Sequence, residues 1–360
     1  MLGAEPTVFV TSTPPPGSPP IPTAPSLQVI TATSQVHSIQ ITEDYVAKFA
    51  LDQSYIYWTG GPDAGLYRFP INGGENELLA SSQFNEHSDG YLFSEWLVRT
   101  GDWLIFMDTR QNDTGIWALH ALNVKTKQDK IVMQENGIGA TWSPLPFYSA
   151  QGDWLAWSRL ELGNPAACDQ SILGMTNLAT GEQRELDRVC TADHYMWIVP
   201  LISENHLIVE QDLPDNQGRK NNIYLWDWTT GERTALTTNG YSNMPAASGK
   251  WVVWKEAPRF NESRNDVIYD LTTGLRQSLR VPKGCSSDPR VSGHWLFTQP
   301  CGSSFSAYDL EHQQMVNIVQ LPKGEKIDAV GLSDQWAVWA VARDKSKTEI
   351  STEVQWRRLP

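Results

Sequence analysis

Two histidines stand among carboxylates: His87 lies between Glu86 and Asp89 in Asn-Glu-His-Ser-Asp, and His194 follows Asp193 in Ala-Asp-His-Tyr. An imidazole titrates near neutrality, so beside a carboxylate it can pass a proton or help to hold a metal ion. The other five histidines point elsewhere. His206 and His294 sit in turns, and His37, His120 and His312 fall in apparent outer strands or hairpins. Trp142 and Trp197 precede apolar runs and could offer a ring to a sugar, but the usual burial of aromatics favours packing. The charges Asp63, Asp108, Arg110, Asp113, Asp212, Asp215, Lys255 and Glu256 are expected as solvated loop charge. In Asp212-Leu-Pro-Asp-Asn-Gln-Gly218 the spacing does not match the alternating ligands of a calcium loop. Neither GxSxG, HExxH nor GxxxxGK[ST] occurs, and no cofactor is expected.

These residues must be positioned by a framework, and that framework is repeated. Ser-Gly-Lys-Trp251-Val-Val-Trp has counterparts at Gly-Asp-Trp154-Leu-Ala-Trp, Gly-Asp-Trp103-Leu-Ile-Phe, Gly-His-Trp295-Leu-Phe and Asp-Gln-Trp336-Ala-Val-Trp, with weaker copies at Tyr55 and His206. The seven aligned positions are 48, 51, 52, 45, 44 and 41 residues apart. Such a period belongs to four-stranded propeller blades or to helical arrays, and Trp, Val, Ile and Phe after a tight turn are strand residues. About twenty residues later a second phrase recurs in four of the repeats, as in Ile223-Tyr-Leu-Trp-Asp-Trp-Thr-Thr-Gly231, where an apolar run ends in a hairpin turn that glycine can enter at positive φ. Each repeat is therefore expected to hold four antiparallel strands.

The expected fold is all-β, a seven-bladed propeller, with six blades as the alternative count. An inner strand pressed between neighbouring blades is apolar on both faces, so the nine of sixteen tryptophans within these phrases are expected in the core. After Trp336 only one further strand remains, Thr352 to Leu359. The segment from Ser26 to Val36 is expected to supply the missing outer strand and close the ring.

The phrase polar-Gly-x-Trp-apolar-apolar-aromatic, the later Asp-apolar-Thr-Gly-Glu, and Trp142-Ser143-Pro144 resemble the TolB-like, WD-repeat-like β-propeller repeats of bacterial envelope proteins. The resemblance covers roughly residues 40 to 360 as a blade signature. It implies a location outside the cytoplasm and a binding or scaffolding role.

The propeller register places the four cysteines in loops of one face. Cys168 with Cys190, and Cys285 with Cys301, would join adjacent loops, and paired cysteines without any CxxC point to an oxidising compartment rather than to zinc. Residues 1–25 form a Pro/Thr-rich spacer, too poor in large side chains to fold, ahead of a single domain over 26–360. A net charge of -13 argues against nucleic acid, and no apolar run is long enough to span a membrane, which leaves a possible upstream anchor as the membrane link. The expectation is an extracytoplasmic binding or scaffolding propeller, periplasmic, secreted or surface-tethered, that engages a protein, peptide or glycan through its loop face. Glu86, His87, Asp89, Trp142, Asp193, His194 and Trp197 are the candidate binding residues. The alternatives are a carbohydrate-active lyase or hydrolase at the channel mouth and a structural part of a surface assembly. Oligomeric state is left open.

Overall fold

The computed structural model describes residues 29–41, 46–60, 65–83, 90–91, 97–110, 113–136, 145–163, 168–191, 196–215, 218–258, 264–279, 288–298, 302–346 and 349–360. The Pro/Thr-rich segment lies outside them.

Seven antiparallel blades stand in a ring, with strands ordered from the axis outward. Blade 4 shows the plan: Met196–Ser203, His206–Asp215, Gly218–Asp227 and Arg233–Ala235 pair in that order. In blade 5 the strands are Ser242–Ser248, Trp251–Glu256, Asn265–Asp270 and Arg276–Leu279. The tryptophan phrase opens the second strand, after a turn in which Gly101, Gly152, Gly249 and Gly293 take φ of 51°, 57°, 55° and 56°. A side chain there would be strained, and this explains why the phrase begins with a polar residue and glycine. The Thr-Thr-Gly phrase joins the third and fourth strands. In it the Asp227 carboxylate accepts the amides of Thr229 and Thr230 and the Thr229 hydroxyl, which hold its pKa down to about 2.

Among the described residues the core is divided into seven clusters, one at each interface between blades. Alternation along each second strand sends odd and even side chains into different inter-blade spaces. Leu207 and Val209 pack on Ala156 and Leu173 of blade 3, whereas Ile208 packs on Val252 and Trp254 of blade 5. Of the nine repeat tryptophans, Trp58, Trp103, Trp157, Trp254, Trp295 and Trp339 are buried, and Trp154, Trp251 and Trp336 are half-buried. The structural reading of these residues holds.

Closure differs from the expectation in its residues. The outer strand of blade 7 is Val36–Ile41, antiparallel to Glu349–Arg358, with Val36 opposite Arg357 and Ile41 opposite Thr352. The segment read as the closing strand instead lays Val29–Thr31 parallel to Gln314–Gln320 of blade 6. One short length of chain thus edges the last two blades. At the crossover, the nearly buried Arg357 donates to the Ser34 carbonyl and, at 2.8 Å, to the Ile318 carbonyl of blade 6. Burial there lowers the pKa of Arg357.

Candidate functional site

The first strands of the blades enclose an axial cavity of about 460 Å³. Every blade contributes to its wall, which is mainly apolar: Phe49 from blade 1, Val98 from blade 2, Phe147 from blade 3, Leu201 from blade 4, Pro245 from blade 5, Val291 from blade 6 and Val330 from blade 7. Three charged side chains, Lys48, Asp288 and Arg290, interrupt it, the first from blade 1 and the others from blade 6. Glycine permits close contact where blades 7 and 1 meet. A Cβ on Gly331 would stand 2.7 Å from the Phe49 Cβ.

The first strands of blades 1, 4, 5 and 7 all bulge along the wall, and the bulges of blades 4 and 5 share a pattern. In blade 4 the register slips between Ile198 and Leu201, and in blade 5 between Asn243 and Ala246. Each contains a residue with left-handed backbone followed by proline: Val199 at φ 48° before Pro200, and Met244 at φ 54° before Pro245. Left-handed backbone is sparsely populated by residues other than glycine, and proline cannot donate to the ladder, so both strands break their pairing here. Met244 is 38% exposed, and both left-handed residues line the cavity.

Behind this wall lies a polar layer. Toward the loop end the second strands change from aliphatic to polar residues that stay buried: Thr59, Asp108, Ser158, Glu210, Asp212 and Lys255. Asp108, Asp212 and Lys255 correct the reading of loop charge, because they are strand residues inside the blade interfaces. Asp108 accepts the Ser82 hydroxyl at 2.6 Å and the Gln83 amide at 2.8 Å, and burial pushes its carboxyl above the ordinary range. Lys255 and Asp266 form an ion pair at 2.8 Å, with burial again raising the carboxyl despite the lysine. Glu256 is half-buried and accepts the Trp254 indole at 3.0 Å and the Ser242 hydroxyl at 3.1 Å, with an ion pair to Arg276.

Glu210 was missed by the sequence reading. It is 2% exposed and accepts the Asn221 amide at 2.5 Å on Oε1 and the Met244 backbone amide at 2.8 Å on Oε2. Burial is the largest influence on its carboxyl and raises its pKa to about 7. The available signal was the abrupt end of the apolar phrase in His-Leu-Ile-Val-Glu-Gln-Asp.

Of the seven candidate binding residues, Trp197 is described. It lies in the first strand of blade 4, 2% exposed, with its indole N–H donated to Asp187 at 2.7 Å and its ring beside Tyr224 and Trp226. It is a packing residue rather than a stacking platform. Glu86, His87, Asp89, Trp142, Asp193 and His194 lie outside the described residues, as do Cys285 and Cys301. His120, expected in an outer strand or hairpin, is buried in the third strand of blade 2, stacked on Phe106 and bonded to Asp129 at 2.7 Å. The bridge Cys168–Cys190 is formed with Cα atoms 5.7 Å apart. Cys190 ends the fourth strand of blade 3 rather than standing in the loop beyond it, and the bridge continues the pairing of Gln170 with Cys190. Of Asp212 to Gly218, Asp212 to Asp215 end the second strand of blade 4 and Gly218 begins the third, with Asp215 paired to Gly218.

No family model matches the chain, and no curated protein matches it. Solved structures share the fold. An oligogalacturonate lyase in complex with manganese is 10% identical at a TM-score of 0.56, covering 90% of this chain and 98% of that one. A prolyl endopeptidase is 14% identical at 0.59, and there the match spans 89% of this chain but 51% of the other. The β-propeller domain of the Trilobed protease from Pyrococcus furiosus, described as having an open velcro topology, is 9% identical at 0.57, covering 87% and 93%. These identities show a shared propeller architecture. Unlike an open ring, this one carries a strand from its N-terminal side on its last blade.

Proposed function

We propose that the protein is an extracytoplasmic binding propeller of the TolB-like kind, holding a peptide or protein segment over its loop face with an apolar side chain of the ligand in the axial cavity. The observation that carries this reading is the mainly apolar wall of that cavity, built by all seven blades and marked by Lys48, Asp288 and Arg290. Its volume falls in the range of ordinary ligand pockets, and apolar contact supplies affinity while a few charges fix orientation. A glycan would favour tryptophan or tyrosine faces beside hydroxyl-binding groups, whereas Phe49, Phe147 and Phe297 suit an apolar anchor. The Cys168–Cys190 bridge supports the location, because disulfides persist in oxidising compartments.

The test is selection from a random displayed-peptide library against the wild-type protein and Met244→Trp, whose larger side chain narrows the cavity. Selected peptides should carry an apolar anchor and bind the narrowed variant at least tenfold more weakly. Equal binding to both proteins would remove the cavity from the interaction.

The second reading is a carbohydrate-active enzyme, favoured by the match along nearly the full length of the oligogalacturonate lyase. The manganese of that protein has no counterpart in the described part of this one, where no group of three or more His, Cys, Asp or Glu side chains is placed to hold a metal. Incubation with oligogalacturonate, with and without manganese, separates the readings: an unsaturated product detected by its ultraviolet absorbance would favour the enzyme.

A further inference from the structure

We propose that Glu210 is a proton-sensitive latch on the wall of the axial cavity: ionised, it holds the Met244–Pro245 corner tightly, and neutral, it lets that corner loosen.

Glu210 pairs through its backbone with Ile198, the last residue in register before the blade 4 bulge. Its side chain crosses to blade 5 and takes the amide of Met244, inside the second bulge. One carboxylate therefore ties together the two irregular strands that shape this part of the wall. The Met244 amide is turned out of its own ladder, and the next residue is a proline with no N–H to give. Holding Met244 in a left-handed conformation depends on such an acceptor.

The surroundings make the charge of Glu210 conditional. Both of its hydrogen-bond donors, the Asn221 side chain and the Met244 backbone, are neutral. Asp212 lies two residues along on the same strand face and opposes its ionisation, while the exposed Arg264 of blade 5 favours it. From blade 5, Glu256 faces the same interface but is engaged with Arg276, Ser242 and Trp254. Lys255 points to the opposite interface, where it pairs with Asp266. A buried carboxylate with two neutral donors and no ion pair among the described residues is poorly compensated, and its proton affinity rises accordingly.

The chemistry is a proton transfer from solvent to one carboxylate oxygen, with no other bond made or broken. In the ionised form the bond to Met244 is charge-assisted, and such bonds are about twice as strong as neutral ones. In the neutral form Asn221 can turn its oxygen to accept the new O–H, leaving Met244 a neutral carbonyl acceptor. The corner then loses its stronger restraint. Any ligand effect of this loosening rests on the reading of the cavity given above, but the latch itself does not.

The experiment uses the whole chain with methyl-labelled methionine, assigning the Met244 resonance through Met244→Leu. In the wild type that methyl should titrate with a midpoint near neutrality, and in Glu210→Gln the titration should vanish. At pH 8 the Met244 amide should exchange at least fivefold faster in Glu210→Gln than in the wild type. A Met244 methyl that is flat from pH 5 to 9, or a titration that persists in the variant, overturns the proposal. Should Glu210→Gln fail to fold, Asn221→Ala keeps the latch and removes one donor, and the midpoint must then move to higher pH; an unmoved midpoint overturns it equally. None of these readouts involves a ligand, so failure of the peptide selection and failure of the latch are separate results.

Discussion

Replacing Glu210 by glutamine should change how stability depends on pH in a calculable way. Burial raises the carboxyl from its ordinary 4.5 to about 7 in the folded protein. Between those values the native state binds a proton that the unfolded chain has released, so stability falls as pH rises through this window. A displacement of that size corresponds to about 3 kcal/mol of stability, present in full below pH 4.5 and lost above pH 7. Glutamine has the shape of the neutral acid and does not titrate, so the variant lacks this slope. Urea unfolding followed by tryptophan fluorescence at pH 4.5, 5.5, 6.5 and 8 gives the free energy of each protein. The difference, variant minus wild type, should climb by about 3 kcal/mol across the series. Other groups displaced by the fold, such as Asp108, Asp266 and Asp309, cancel in that difference. A difference that stays level would show that the Asn221 and Met244 donors offset desolvation completely, and the argument from burial would be wrong.

Deleting residues 1–28 should leave the melting temperature unchanged, whereas deleting 1–41 removes both closing strands and should lower it by more than 10 °C in a thermal scan, since it exposes the edge of Glu349–Arg358 and leaves Arg357 without the Ser34 carbonyl. Replacing both Cys168 and Cys190 by serine opens a loop of 22 residues and should cost about 3 kcal/mol in urea unfolding under non-reducing conditions, a loss that reductant reproduces in the wild type. Gly174→Ala should destabilise blade 3 by about 1–3 kcal/mol, because the new Cβ would stand 2.3 Å from Trp157, whose indole is held by Thr176 at 3.0 Å; an unchanged denaturation midpoint would mean that the ring moves freely.

The peptide-selection test addresses a different link, from cavity to ligand, and its outcome does not depend on these stabilities. Met244→Trp changes the size of a half-exposed side chain without altering the Glu210 carboxylate. It therefore reports on occupancy of the cavity rather than on the charge behind it.

Blade number and strand order were legible because both depend on short-range rules. A glycine at positive φ must precede Trp251, and an Asx turn must close Asp227-Trp-Thr-Thr-Gly, wherever these phrases occur. Burial of the repeat tryptophans follows from the same local pattern, since a strand apolar on both faces must be covered on both. The pairing of Cys168 with Cys190 was readable once that register was known.

Long-range partnership decided the rest. Val36–Ile41 and Val29–Thr31 are both plausible edge strands, and only the closed ring assigns one to blade 7 and the other to blade 6. Asp108, Asp212 and Lys255 look like loop charges by type, yet strands that extend beyond their apolar phrases carry them into the inter-blade spaces. Trp197, for which packing was the favoured reading and sugar stacking the other, is a core residue because Tyr224, Trp226 and Asp187 converge on it. Glu210 owes its raised proton affinity to burial between two blades, against which the Met244 amide, 34 residues further along the chain, pulls in the other direction. Period and turn chemistry are properties of a few adjacent residues and could be read from the chain; desolvation and charge partnership depend on which blades face one another, and that exists only in the assembled ring.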